Sequence, residues 1–364
     1  MKAAYPFLLV FILAWVSGES AMAQRPSSGL LMPYTNHWHA RDYGTVDLLS
    51  LLRCDVARWK DHSTSTSPLT LGGFAMTYDN QRQRVVFFFG VDDHGLRLVS
   101  ETWEWDGATW TQKSTVGPPG RVNQAMVYDA SSQVVLLYGG QGADLQGTFT
   151  QILGDTWVWN GTEWTELHPV HHPSPRAGHS VVFDAARGEV VLFGGDETDS
   201  LDMQGPYLND TWVWDGTDWD LKDLQDAPPV RFRHAMTYDV KRQRVVLFGG
   251  NDEDGPLNDT WEWDGNHWNQ VTTAHTPDSR RGHGMTYDSR REKVVLFGGE
   301  LGSDFSSETW EYDGMDWTRI EAANPPETDA LALTYDSTRG ETVLFTGEQP
   351  DATFVYDGEP SCPE

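Results

Sequence analysis

Basic residues are scarce. The chain carries 26 Lys and Arg against 54 Asp and Glu, a formal net charge of -28. So acidic a surface repels nucleic acid and anionic membranes, which removes both from the expected partners. Long apolar runs are lacking too, with one exception at the N-terminus. Residues 3–16 form an apolar run behind Lys2, and Ala21-Met22-Ala23 offers a small-x-small cleavage site before Gln24. Residues 1–23 are therefore expected to be a signal peptide, leaving a secreted or periplasmic protein with no membrane span. Cysteine is nearly absent, with two in the chain. Neither follows the signal closely enough for a lipoprotein. Nucleophile elbow, phosphate loop and HExxH zinc motif are missing as well.

What is abundant is repetition. Residues 233–265 read as a strand at 234–238, a turn from Asp239, a second strand at 244–248 ending in Gly249-Gly250, an acidic loop, and a third strand at 260–263. Gly265 then turns the chain toward a fourth strand around Trp268. Alternating aromatic and β-branched residues between Asp, Gly and Asn favour strands over helix. The unit recurs six times at about 50 residues, marked by Tyr78, Tyr128, Phe183, Tyr238, Tyr287 and Tyr335 in the first strands. Third and fourth strands carry the tryptophans, so that only Trp15 and Trp38 of the 17 lie outside the repeats. At such periodic positions the indoles are core between neighbouring sheets rather than a glycan-stacking surface.

The double glycine after strand two, followed by the aromatics of strands three and four, resembles the kelch-repeat β-propellers, the group that includes the propeller domain of galactose oxidase. The resemblance implies an all-β, six-bladed propeller of four-stranded antiparallel blades spanning residues 54–362, in an exported bacterial member of the family. The last repeat stops after its third strand, at 353–356. The N-terminal stretch Cys54-Asp55-Val56-Ala57-Arg58-Trp59-Lys60 reads like the missing fourth, as comparison with Asp106-Gly107-Ala108-Thr109-Trp110-Thr111-Gln112 suggests. Trp59 is thus expected to close the ring, removing open sheet edges. In an exported chain Cys54 and Cys362 would pin that seam as a disulfide; two separate buried thiols are the other reading. Closing a loop of about 300 residues is worth on the order of 5 kcal/mol at most. Residues 24–53 fit no repeat and form an N-terminal extension.

Function is sought where the repeat varies. The first-to-second and third-to-fourth turns are short and uniform and share one end of the blades. The second-to-third and fourth-to-first connections vary and share the other, the expected binding face. Seven residues before the first-strand aromatics stand Arg121, Arg176, Arg231 and Arg280; four before stand Gln124, His179, His234 and His283. If strand one is innermost, as the resemblance implies, these groups ring the channel mouth. The arginines and Gln124 there would hold a carboxylate or sulfate, and the histidines would move a proton near neutral pH. The other reading is structural, with hydrogen bonds to exposed backbone or a neighbouring blade. Asn209-Asp210 and Asn258-Asp259 are expected to form turns with their own backbone.

No cofactor is predicted. Calcium is the ion that the acidic loops would suit, through Asp252 and Asp254, although Asn251-Asp252-Glu253-Asp254-Gly255 is too short for a dedicated calcium loop and plain solvated charge is the simpler reading. The kelch-type specifier proteins use an iron site written E-x-x-x-D-x-x-x-H. Glu300 and Asp304 match its first two positions, while Glu308 stands where the histidine belongs. His168, His171 and His172 share one loop and are a further metal candidate. Copper-radical chemistry of the galactose-oxidase kind needs a cysteine in a blade loop, which this chain lacks. The expectation is a monomeric scaffold that binds a protein or carbohydrate ligand through its variable loop face. The alternative is an enzyme acting on an acidic sugar or polysaccharide, an epimerase, mutarotase or lyase resembling the sialic-acid-processing kelch enzyme of bacterial periplasms.

Overall fold

Blade four folds as one four-stranded antiparallel sheet, with Ala235–Asp239, Arg244–Phe248, Thr260–Trp263 and Trp268–Val271 in that order. Its turns are fixed by their own side chains. Asp239 Oδ1 accepts the Arg242 amide at 3.0 Å, and Asp264 Oδ1 accepts those of Asn266 and His267 at 2.9 and 2.8 Å. Gly265 takes the left-handed φ of 99° that this turn requires. The second strand is apolar without alternation, and Val245, Val246, Leu247 and Phe248 are all fully buried. A strand covered on both faces by neighbouring sheets has no solvent side to encode.

The computed structural model describes residues 57–69, 72–91, 98–143, 149–198, 205–323, 326, 328, 331–347 and 352–360. The expected signal peptide, the extension at 24–53, Cys54 and Cys362 lie outside them. Among the described residues there is no helix, hence none long and apolar enough to cross a membrane. Five further sheets repeat the blade-four order. The first strands, Ala75–Asp79, Ala125–Asp129, Ser180–Asp184, Ala235–Asp239, Gly284–Asp288 and Leu331–Asp336, touch one another in sequence, and the sixth touches the first. The fold is therefore an all-β propeller of six blades with strand one innermost.

Blade six takes its outer strand from the other end of the chain. Ala57–Asp61 pairs antiparallel with Ala352–Pro360, Trp59 opposite Tyr356. Trp59 is buried and stacks on Tyr356 at 5.1 Å. Its indole donates to Thr309 Oγ1 of blade five at 3.0 Å. The same bond runs around the whole ring, each fourth-strand indole reaching a third-strand threonine of the preceding blade. The other five are Trp110 to Thr353, Trp164 to Thr102, Trp219 to Thr156, Trp268 to Thr211 and Trp317 to Thr260, at 2.8–3.2 Å. Trp59 thus does for blade six what Trp268 does for blade four, and the ring closes as the sequence suggests.

The double glycine serves the joint between blades. Gly249 and Gly250 have φ of 61° and 97°. A Cβ on Gly249 would lie 2.7 Å from the Arg280 carbonyl of blade five, and one on Gly250 2.8 Å from the His234 Cβ. With no side chain in the way, the Gly250 amide donates to the Arg280 carbonyl at 2.9 Å.

Candidate functional site

Each repeated arginine lies in the approach to an inner strand and is fully buried. Arg231 shows the pattern. Its Nη1 donates to the Gly249 carbonyl at 2.9 Å, its Nε to the Pro229 carbonyl at 3.1 Å, and Nη1 and Nη2 grip Asp259 at 2.7 and 2.8 Å. Arg121 holds Asp155 and Arg176 holds Asp210 in the same two-pronged way, while Arg280 reaches Glu308 through Nη2 at 2.9 Å. Those carboxylates also accept an indole N–H, from Trp157, Trp212, Trp261 and Trp310. Burial pushes the Asp155, Asp210 and Asp259 carboxyls up, but their arginines more than reverse it and leave them below the ordinary range. Asp210 and Asp259 bond their own backbone, as expected of turn-formers, but an arginine is the larger partner of each. Each is half of a buried ion pair reaching back 34 and 28 residues. A ligand acid at these guanidiniums would have to displace a protein carboxylate.

Three of the four groups behind them are imidazoles sealed in the wall. His179, His234 and His283 are each about 5–6% exposed. Their rings stand edge-on to Tyr138, Phe193 and Phe248 of the preceding blades, with centroids 5.5 Å apart. None of the six ring nitrogens makes a well-formed hydrogen bond, the backbone of Tyr138, Phe193 and Phe248 lying near enough only to oppose the fall in pKa slightly. Burial, then the charge of the adjacent arginine, lowers the pKa of His179 and of His283 to about 3. His234 is driven well below its ordinary value by burial, Arg231 and the two flanking histidines. Gln124 takes the same place in blade two, its Nε2 donating to the Phe88 carbonyl at 3.4 Å and its Oε1 unpartnered.

Between arginine and histidine, a chain of backbone bonds laces the mouth. The amide of Asn123 donates to the carbonyl of Gly73, Gly178 to Asn123, Arg233 to Gly178 and Gly282 to Arg233, at 2.7–3.3 Å. Every member is left-handed, with φ of 53–67°. Glycine meets that demand in three of the five, and Arg233 is the one long side chain among them. Its Nη1 donates to Glu300 Oε1 of blade five at 2.8 Å. The other oxygen of Glu300 accepts from Arg281 Nε at 2.7 Å. Arg233 and Arg281 have side chains 34% and 31% exposed, and Glu300 19%. Beside them lie the stacked rings of Tyr207 and Phe232, 4.7 Å apart, and the exposed Phe305, opposite Glu300 in a two-residue hairpin. Reading the repeated positions missed this cluster. The available signal was the reverse one: Arg233 stands where the other blades have Gly, Asn or Ala, and Arg281 at a position that varies among Gly, Val, Ala, Phe and Asp.

The acidic candidates do not converge. Glu300 is held by the two arginines, Glu308 by Arg280 and Arg319, and Asp304 is exposed. Asp252 Oδ1 caps its own turn through the amides of Asp254 and Gly255 at 2.9 and 3.1 Å, with Asp254 outside it in solvent. Among the described residues no three His, Cys, Asp or Glu side chains are disposed to hold a metal. His171 is paired with Asp218, and His275 with Asp316, each at 2.7 Å. These bonds set the fourth-to-first connection of one blade against the Asp-Gly turn of the next. The division into a uniform end and a variable end is thus clean at the mouth and blurred at the rim.

Residues 151–347 match the KLHDC2/KLHL20/DRC7 Kelch-repeats domain. Mei4-dependent protein 6 of Schizosaccharomyces pombe is 27% identical over 202 residues, 50% of this chain. The match spans only 28% of that relative's length. A solved structure titled "Structure of YjhT" superposes with a TM-score of 0.59 at 14% identity, covering 80% of this chain and 94% of the other. That likeness is one of fold.

Proposed function

The chain belongs to the kelch-repeat family, and on that premise we propose that it is an exported binding scaffold that receives a protein or glycan partner on its loop face, centred on the mouth at blades four and five. One observation carries the reading. The arginines repeated from blade to blade are fully buried on their carboxylates, whereas Arg233 and Arg281, at positions where no other blade has arginine, are about a third exposed and share Glu300. Exposed Phe305 adds an apolar anchor beside them, and an aromatic flanked by arginine is the composition that dominates binding energy at interfaces. Export rests on residues 1–23, and N-terminal sequencing of secreted protein is expected to begin at Gln24. The seam disulfide belongs to the same reading, and folded protein is expected to alkylate at Cys54 and Cys362 only after reduction.

Cross-linking in the protein's own extracellular fluid, followed by mass spectrometry, tests the scaffold. Phe305→Ser should abolish the cross-linked partner. Val240→Lys and Met315→Lys, exposed positions on the opposite turns, should leave it unchanged. A partner lost with the turn variants and kept by Phe305→Ser would refute the loop-face assignment.

A further inference from the structure

The bridge Arg233–Glu300–Arg281 has features that a purely structural contact would not need. It joins blades four and five at one place, whereas the joints around it are made by backbone and glycine. Arg233 sits at φ 53°, a conformation that costs a long side chain free energy and that Gly178 and Gly282 adopt without penalty in the flanking blades. The return from the pair itself is small, because all three groups keep access to water and half-exposed ion pairs contribute little. Arginine is thus retained at a strained position without a matching gain in stability. Gln83, Gln133, Gln243 and Glu292 share that left-handed φ in the outer turns, so what singles Arg233 out is the combination with a side chain committed to a bridge made at one place on the mouth.

We infer that Glu300 is a built-in occupant of an anion clamp, and that a small ligand bearing a single carboxylate takes its place between Arg233 and Arg281. The inference rests on the loop-face reading and names the chemistry of that site. Two guanidiniums meeting one carboxylate, one on each oxygen, already show the geometry the ligand would adopt. Exchange of one carboxylate for another leaves the number of ion pairs unchanged. Selectivity then comes from what the rest of the ligand finds at the rim, Phe305 and the half-buried Tyr207 that stacks on the buried Phe232. The chain's charge of -28 and the neighbouring Asp252 and Glu253 oppose a polyanion, whereas a monoanion meets the local pair of cations within a Debye length of about 8 Å. The clamp is therefore a monocarboxylate site rather than a track for an acidic polymer.

Titration calorimetry with sodium glucuronate tests this, with glucose as the uncharged control and an oligogalacturonate as the polyanion. If Glu300 fills the clamp about nine-tenths of the time, Glu300→Gln should bind glucuronate about tenfold more tightly than the unaltered chain. Adding Arg233→Gly to that background, or Arg281→Gln, should abolish the gain. Arg233→Gly restores the residue that blades three and five use and should fold normally, so a null result cannot be blamed on misfolding. No gain in Glu300→Gln, a gain that survives loss of either arginine, or equal gains for glucose or the oligomer would each overturn the clamp. Failure of the clamp while Phe305→Ser still loses its cross-linked partner would leave the scaffold reading in place. Loss of both would remove the two together.

Discussion

The outer belt and the inner mouth of this propeller follow different rules of repetition. The indole-to-threonine bond of the belt occurs in all six blades, including the one assembled from both ends of the chain. The arginine–carboxylate staple occurs in blades two to five. Blade one keeps Glu101, bonded to the Trp103 indole at 2.9 Å, but has Leu71 in place of the arginine. The Arg233–Glu300–Arg281 bridge occurs once among the described residues. A contact that every blade needs is part of closing the ring; one made a single time, half in solvent, has no such duty. Frequency of repetition therefore ranks these layers from fold toward function, and the ranking can be broken by measurement.

The belt should show the largest effects. Trp268→Ala removes a fully packed indole and is expected to cost about 3–5 kcal/mol in chemical denaturation. Trp59→Ala should cost as much, because its bond and burial are the same although its strand is borrowed. A cost for Trp59 below about 1 kcal/mol would mean that the seam is weaker than the other joints. Next comes the staple. Asp259→Ala leaves the fully buried Arg231 without its carboxylate, and about 3 kcal/mol of stability should go with it. Replacing both partners together, Arg231→Met with Asp259→Ala, should recover part of that loss, since no unpaired charge remains.

Much of this was legible in the sequence, and what escaped has a physical reason. Blade number, strand order and ring closure all follow from local patterns that each copy restates, so errors in one copy are corrected by the other five. Even the borrowed strand announced itself, because Asp55 to Lys60 repeats the pattern of Asp106 to Thr111. The arginines were singled out by their recurrence but without their partners. Asp155 lies 34 residues after Arg121, too far for any local pattern to join them, and Asp210 and Asp259 resembled turn residues because each follows an asparagine. Attention to what repeats also hid what did not, and Arg233 was passed over between the repeated Arg231 and His234.

The histidines sharpen the boundary between staple and mouth through pH. Their folded pKa values lie below the unfolded value of 6.5, about 3 for His179 and His283 and well below 6.5 for His234. Unfolding therefore takes up protons as pH falls beneath 6.5. Stability is full above that pH and declines toward about 3, by up to about 1.4 kcal/mol per unit for each imidazole. At pH 5 His179 and His283 should each have removed about 2 kcal/mol, with His234 adding a loss of the same sign. The stapled carboxylates, held below their ordinary range, add their own loss only under about pH 4. Converting all three histidines to Gln, the residue blade two already uses at Gln124, should flatten the urea midpoint between pH 6.5 and 4.5 and leave the steeper fall below pH 4. If the slope in the upper window is unchanged, the imidazoles do not carry the acid sensitivity.

Arg233→Gly should have the smallest effect on stability, and that small number decides most. Relief of a left-handed arginine gains about 1 kcal/mol, while the more flexible unfolded glycine and the lost half-exposed ion pair each take back up to about 1. The melting curve should therefore shift by less than a change of about 1 kcal/mol would produce, against about 3 kcal/mol for Arg231→Gly two residues earlier, which empties a fully buried side-chain site and leaves the partly buried Asp259 without its guanidinium. Two arginines in one tripeptide would then differ severalfold in what the fold asks of them. If Arg233→Gly instead proves as damaging as Arg231→Gly, the bridge to Glu300 is part of the wall between blades four and five, and the distinction between a repeated structural layer and a singular functional one fails at the place where it was drawn.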